Sequence, residues 1–68
     1  MQGLKIAFII KDYRDIKVIR HKVIYKSQDI VKALRNFQVQ YGASEIIYKV
    51  YNTSYKWHYG VIEICKKQ

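Results

Sequence analysis

Ser27-Gln28-Asp29-Ile30-Val31-Lys32-Ala33-Leu34-Arg35-Asn36-Phe37-Gln38-Val39-Gln40-Tyr41-Gly42 is the stretch that decides the fold. Ile30, Leu34, Phe37 and Tyr41 recur at spacings of four, three and four, with Ala33 beside them. That is the period of an amphipathic helix laid on an apolar layer. Ser27 stands where an N-cap is expected, and Asp29 lies in the first turn, where a carboxylate suits the positive end of the macrodipole. Gly42 occupies the position of a left-handed C-cap. The expectation is one helix of about four turns over Gln28–Tyr41.

On its N-terminal side, Leu4, Ile6, Phe8 and Ile10 alternate with Lys5, Ala7, Ile9 and Lys11, the period-2 pattern of a strand with one better-buried face. Asp12-Tyr13-Arg14-Asp15 reads as a four-residue hairpin turn, and residues 16–26 as a second strand. Closing that loop with Lys11 opposite Ile16 sets Phe8 against Ile19, Ile6 against His21 and Leu4 against Val23. The other face then sets Ala7 against Arg20 and Lys5 against Lys22. On the C-terminal side, residues 44–52 and 55–65 read as a second hairpin turning at Asn52-Thr53-Ser54-Tyr55. Its register pairs Val50 with Trp57, Tyr48 with Tyr59 and Ile46 with Val61, and on the opposite face Lys49 with His58, Tyr51 with Lys56 and Ile47 with Gly60.

Strand, strand, helix, strand, strand predicts an α+β fold: a four-stranded sheet with one helix packed on one face. The helical stripe is expected to bury against Leu4, Ile6, Phe8, Ile19, Val23, Tyr48, Val50 and Trp57. The element order resembles the ubiquitin-like β-grasp. That likeness is one of topology, spans most of the chain, and implies no activity. It implies that the first and last strands pair in parallel at the centre, leaving strands 16–26 and 44–52 as the sheet edges.

The chain has 68 residues, 13 Lys or Arg against five Asp or Glu, a formal net charge of +8, and 50% apolar residues. Residues 1–68 therefore read as a single small domain with an ordered core over about 3–65, near the lower size at which one hydrophobic core suffices. There is no proline and no linker-like tract, and eleven Ile, six Val and seven Tyr favour strands. No apolar run approaches the roughly 20 residues of a membrane span, and no secretory signal is legible. The one cysteine makes no internal disulfide, so a cytoplasmic setting is expected.

Catalytic and metal-binding constellations do not assemble from the sequence. His21, His58 and Cys65 fall on separate strands, no C-x-x-C pair exists, and Asp12 and Asp15 flank a turn. Three scattered glycines make no phosphate-cradling loop. The expectation is a non-enzymatic protein without metal or cofactor.

The positive signal is the placement of charge. The helix-distal face collects Lys5, Lys11, Arg20, Lys22, Lys26, Lys49, Lys56 and His58, interleaved with Ile9, Val18 and Tyr51, and Glu45 is the acid among them. Setting Lys5 opposite Lys22 costs a few tenths of a kcal/mol, which a face under no other demand would avoid. The expected partner is nucleic acid, DNA or RNA, held by phosphate contacts from Lys5, Lys11, Arg20, Lys22, Lys49 and Lys56, with Tyr51 available for stacking. A Lys-rich outer face is also ordinary solvation and discourages edge pairing. The alternative reading is an accessory or inhibitory module that docks on an acidic protein surface by strand addition at the 44–52 edge. That same edge is the expected route to a homodimer.

Overall fold

A computed structural model describes residues 3–65. The chain builds β1 (Leu4–Lys11), β2 (Lys17–Ile24), α1 (Gln28–Tyr41), β3 (Glu45–Val50), β4 (Thr53–His58) and β5 (Val61–Cys65). All neighbouring strands pair antiparallel, in the order β2-β1-β3-β4-β5. The α+β class and the single helix match the sequence expectation; the sheet has five strands rather than four.

The fifth strand comes from a turn inside residues 55–65. Tyr59 and Gly60 both take positive φ, 51° and 84°, the signature of a two-residue type I′ hairpin. They separate β4 from β5. The turn before β4 is equally tight: Tyr51, at φ 55°, and Asn52 join Val50 to Thr53, which face each other across the ladder. The β3–β4 register is therefore Ile46 opposite Trp57 and Tyr48 opposite Tyr55. Relative to the expected pairing this is a slide of four residues, so the β3 and β4 side chains keep their faces, while Val61, beyond the Tyr59-Gly60 turn, moves to the distal side opposite His58.

The β-grasp order is not the one adopted. β1 is antiparallel to both of its neighbours, and the last strand is an edge. Helix α1 carries the chain from β2 over β1 to β3, which leaves β2 and β3 parallel to one another with β1 running against both.

The first hairpin differs by one residue, and that one residue matters. The expected loop held four residues, but Lys11 pairs with Lys17 and the loop runs from Asp12 to Ile16. The Asp12 side chain is the cause. Its Oδ1 accepts from the backbone N–H groups of Arg14 and Ile16, both at 2.9 Å, and the Asp12 N–H donates to the Ile16 carbonyl at 3.0 Å. Ile16 is thereby held in the loop, and Asp15 takes a left-handed φ of 69° to close it. Because strand side chains alternate, a one-residue shift sends each β2 side chain to the other face. Phe8 now faces Arg20, and Lys5 faces Val23.

The core lies between α1 and the centre of the sheet. Ile6, Phe8, Ile10, Leu34 and Ile46 are fully buried, with Ala33, Phe37, Tyr48 and Trp57 almost so. Phe8 holds the middle, its ring centroid 5.2 Å from Phe37 and 5.8 Å from Tyr48. Ser27 sits in helical conformation and makes no side-chain cap; instead the Ile30 N–H bonds its carbonyl at 3.1 Å. Gly42 ends the helix as the spacing predicts, left-handed at φ 63°, and the Ala43 N–H closes onto the Gln38 carbonyl at 3.1 Å.

Candidate nucleic-acid interface

The expected contact residues divide among three places. Lys5, Lys11, Lys49 and Lys56 do lie on the helix-distal face, as the alternation along β1, β3 and β4 requires. Arg20 and Lys22 are carried to the helix side by the register shift. Tyr51 is in the β3–β4 turn, 79% exposed.

The distal face is less basic than its lysine count suggests. Lys11 Nζ is 3.2 Å from an Asp15 carboxylate oxygen, and Lys56 Nζ is 3.1 Å from Glu45. The hydrogen bond to Glu45, and its charge, hold the Lys56 pKa above the ordinary 10.5. A second acid, Glu63, stands directly opposite Lys56 on β5. The middle of this face is aliphatic: Ile19, Ile9 and Ile47 are successive cross-strand partners on β2, β1 and β3. They floor a shallow hollow of about 320 Å³ with Lys11, Lys17 and Glu45 at its rim.

Free charge gathers instead along β2. This strand is an edge, as the sequence leads one to expect. Lys17 projects on the distal side, Arg20 and Lys22 project on the helix side, and Lys26 follows in the turn to α1. All four are exposed. Among the described residues none of them has a carboxylate within ion-pair reach, whereas Lys11, Arg14 and Lys56 each do. From Lys17 to Lys22 the strand extends about 17 Å, so cations flank both sides of a free backbone edge. Lys5, on the neighbouring strand opposite Val23, adds a further exposed ammonium.

An edge strand can place cations on the helix side because α1 is centred over β1 and β3 and meets β2 only at its flank. The stems of Arg20 and Lys22 still cover the helix flank. Arg20 Nε donates to the Tyr41 hydroxyl at 2.9 Å, its guanidinium carbon 5.7 Å from that ring centroid, and Lys22 Nζ lies 5.5 Å from the centroid of Phe37. These are snorkelling side chains, with apolar stems on the core and charged heads in water. The packing orients the heads without neutralising them.

Sequence reasoning left Lys17 and Lys26 out of the contact set. Their signal was present: cations at 17, 20, 22 and 26 with no acid between Asp15 and Asp29. Comparison with family models, curated proteins and solved structures finds no match. The site is therefore read from this chain's own geometry.

The strand-addition route through residues 44–52 does not survive. β3 is inside the sheet, bonded to β1 through Glu45–Tyr48 and to β4 along its length. A strand already paired on both sides offers no edge to a peptide or to a second copy; the free edges are β2 and β5. His58 and Cys65 do not meet either. Cys65 pairs with Ser54, four strand positions from His58, or about 13 Å along the sheet. Among the described residues no group of three His, Cys, Asp or Glu side chains is arranged to hold a metal, and no helix is long and apolar enough to cross a membrane.

Proposed function

We propose that this chain is a small nucleic-acid-binding protein whose phosphate contacts run along the β2 edge, through Lys17, Arg20, Lys22 and Lys26 with Lys5 behind them. The observation that supports this reading best is the segregation of charge. Of the cations elsewhere on the sheet, Lys11 and Lys56 are matched by Asp15 and Glu45 and Lys5 and Lys49 stand singly, while the four along β2 gather along one strand with no carboxylate partner among the described residues. Keeping like charges together on one strand costs stability, because adjacent cations repel. A polyanion removes that cost by entering between them and releasing its counterions.

Edge protection alone would account for one or two lysines on β2. It does not account for cations on both faces of the strand together with an exposed Lys5 beside it. The contacts are made to the phosphate backbone, so the protein binds by charge and carries no base-reading device on this edge.

The test is fluorescence anisotropy of a labelled oligonucleotide at low salt, comparing the native chain with the triple variant Lys17→Glu, Arg20→Glu, Lys22→Glu. The native chain should bind and the triple variant should not, while Lys11→Glu with Lys56→Glu retains binding. Absence of binding by the native chain, or equal binding by the β2 variant, refutes the proposal.

A further inference from the structure

The helix layer is narrower than the sheet it covers. Five strands at about 4.8 Å spacing make a sheet some 19 Å across, and a helix with its side chains is about 10–12 Å wide. Helix α1 rests chiefly on β1 and β3 and reaches the near side of β4 at Trp57, so β5 extends beyond it. On the helix side of β5, Ile62 and Ile64 are 42% and 65% exposed, where a covered sheet face would bury them. Between this overhang and the flank of α1 runs a groove of about 320 Å³, floored by Trp57 and Ile62 and walled by Val31, Arg35 and Gln38.

The groove has a definite chemical character. Val31, Arg35 and Gln38 form one row along α1 at helical spacing. Arg35 is exposed and has no carboxylate partner among the described residues, and no acid lines the groove. Trp57 is 95% buried, so it forms the base of the groove, and Ile62 beside it is the more open apolar side chain. The surface thus offers an apolar floor with a cation on its wall, and it asks for an apolar partner bearing carboxylates.

We infer that the groove beside α1 docks an amphipathic helix of an acidic partner protein, seated on β4 and β5 as a second member of the helix layer. Its apolar row covers Trp57 and Ile62, and a Glu or Asp on its flank meets Arg35. A helix of about 12 residues spans the 18 Å length of these strands. A second copy of this chain fits the site poorly. Its own α1 would bring Lys32 and Arg35 toward Arg35 in a molecule of net charge +8, and pairing of β5 with its symmetry mate leaves the groove open. Docking here is independent of nucleic-acid binding at β2, which lies on the opposite edge of the sheet.

Trp57 is the chain's one tryptophan, so its emission reports on this groove directly. The probe is a Trp-free peptide of about 14 residues with Leu along one helical face and Glu on both flanks. Titration should change the intensity of Trp57 emission and saturate, since the peptide closes the groove over a ring that is already largely buried. Arg35→Glu, or a peptide with Lys in place of Glu, should weaken binding at least tenfold, and a scrambled peptide of equal charge should not bind. The Lys17→Glu, Arg20→Glu, Lys22→Glu variant should bind the peptide within about twofold of the native chain, which separates this site from general attraction to β2. Ile62→Asp, on an exposed position, gives a second disruption that leaves the core intact. The inference is overturned by an unchanged Trp57 emission or by equal affinity for the acidic and basic peptides. It is also overturned by loss through the β2 variant rather than Arg35→Glu, or by a protein-concentration-dependent change in Trp57 emission with a dimer mass, which would assign the groove to a second copy.

Discussion

Neutralising Lys17, Arg20 and Lys22 together to Gln should change the salt dependence of oligonucleotide binding by an amount that the geometry sets. Five exposed cations, Lys5, Lys17, Arg20, Lys22 and Lys26, lie on or beside the β2 edge with no carboxylate partner among the described residues. If each displaces one counterion from a single strand, log K falls with log salt at a slope of about −3.5. Between about 50 and 200 mM salt, that slope lowers affinity roughly 130-fold, or about 2.9 kcal/mol. Removing three of the five cations leaves a slope of about −1.4 and a loss of only about sevenfold over the same range. Lys11 and Lys56 are held by Asp15 and Glu45, so neutralising those two should leave the slope near its native value. Anisotropy titrations at four or five salt concentrations give all three slopes. A native slope shallower than about −2, or an equal change from the Lys11 and Lys56 pair, would refute the counting of contacts along β2.

Three further outcomes test the fold on which that edge depends. Phe8 is fully buried between Phe37 and Tyr48, so Phe8→Ala should cost about 3–5 kcal/mol. That is a large share of the roughly 3–10 kcal/mol expected for a domain of this size, and thermal melts followed by circular dichroism should show the cooperative transition lost or greatly lowered. Gly42→Ala forces an L side chain into φ 63° with its Cβ 3.3 Å from Tyr13 Cβ; a cost of about 1–2 kcal/mol should lower Tm by at least about 4 °C. Asp12 has its pKa held below the ordinary 3.8 by the Ile16 backbone N–H and by Arg14, against the opposing effect of burial. A carboxylate with a depressed folded pKa stabilises fully above its unfolded value and loses that contribution as pH falls through the folded one. Native urea midpoints should therefore decline below about pH 4, and Asp12→Asn should flatten that decline.

The residues differ in how much of this could be read in advance. Ile30, Leu34, Phe37 and Tyr41 announce α1, and Gly42 its end, because helix period and C-cap chemistry are local properties. β1 and β3 were legible from alternation for the same reason. The β1–β2 register was not, because it depends on the Asp12 carboxylate taking the Arg14 and Ile16 N–H groups and so holding Ile16 in the loop. Strand parity then moved Arg20 and Lys22 from one face to the other, an outcome no alternation pattern reveals. The β4–β5 turn was hidden because Tyr59 occupies a positive-φ position usually given to Asn, Asp or Gly, leaving Gly60 as its one mark. Strand order depends on long-range pairing, and the β-grasp expectation failed there. The edge position and cationic character of β2 survived all of these errors, since neither depends on the face to which each side chain points.

The central claim is that charge converges on the β2 edge and that nucleic acid binds there. Its most direct test is a titration of ¹⁵N-labelled protein with a short oligonucleotide, following backbone amide shifts residue by residue. Shifts concentrated on Lys17, Arg20, His21, Lys22 and Lys26, with Lys5 following, are the predicted outcome. Shifts centred on Lys49, Ser54 and Lys56, or no shifts at low salt, would contradict it.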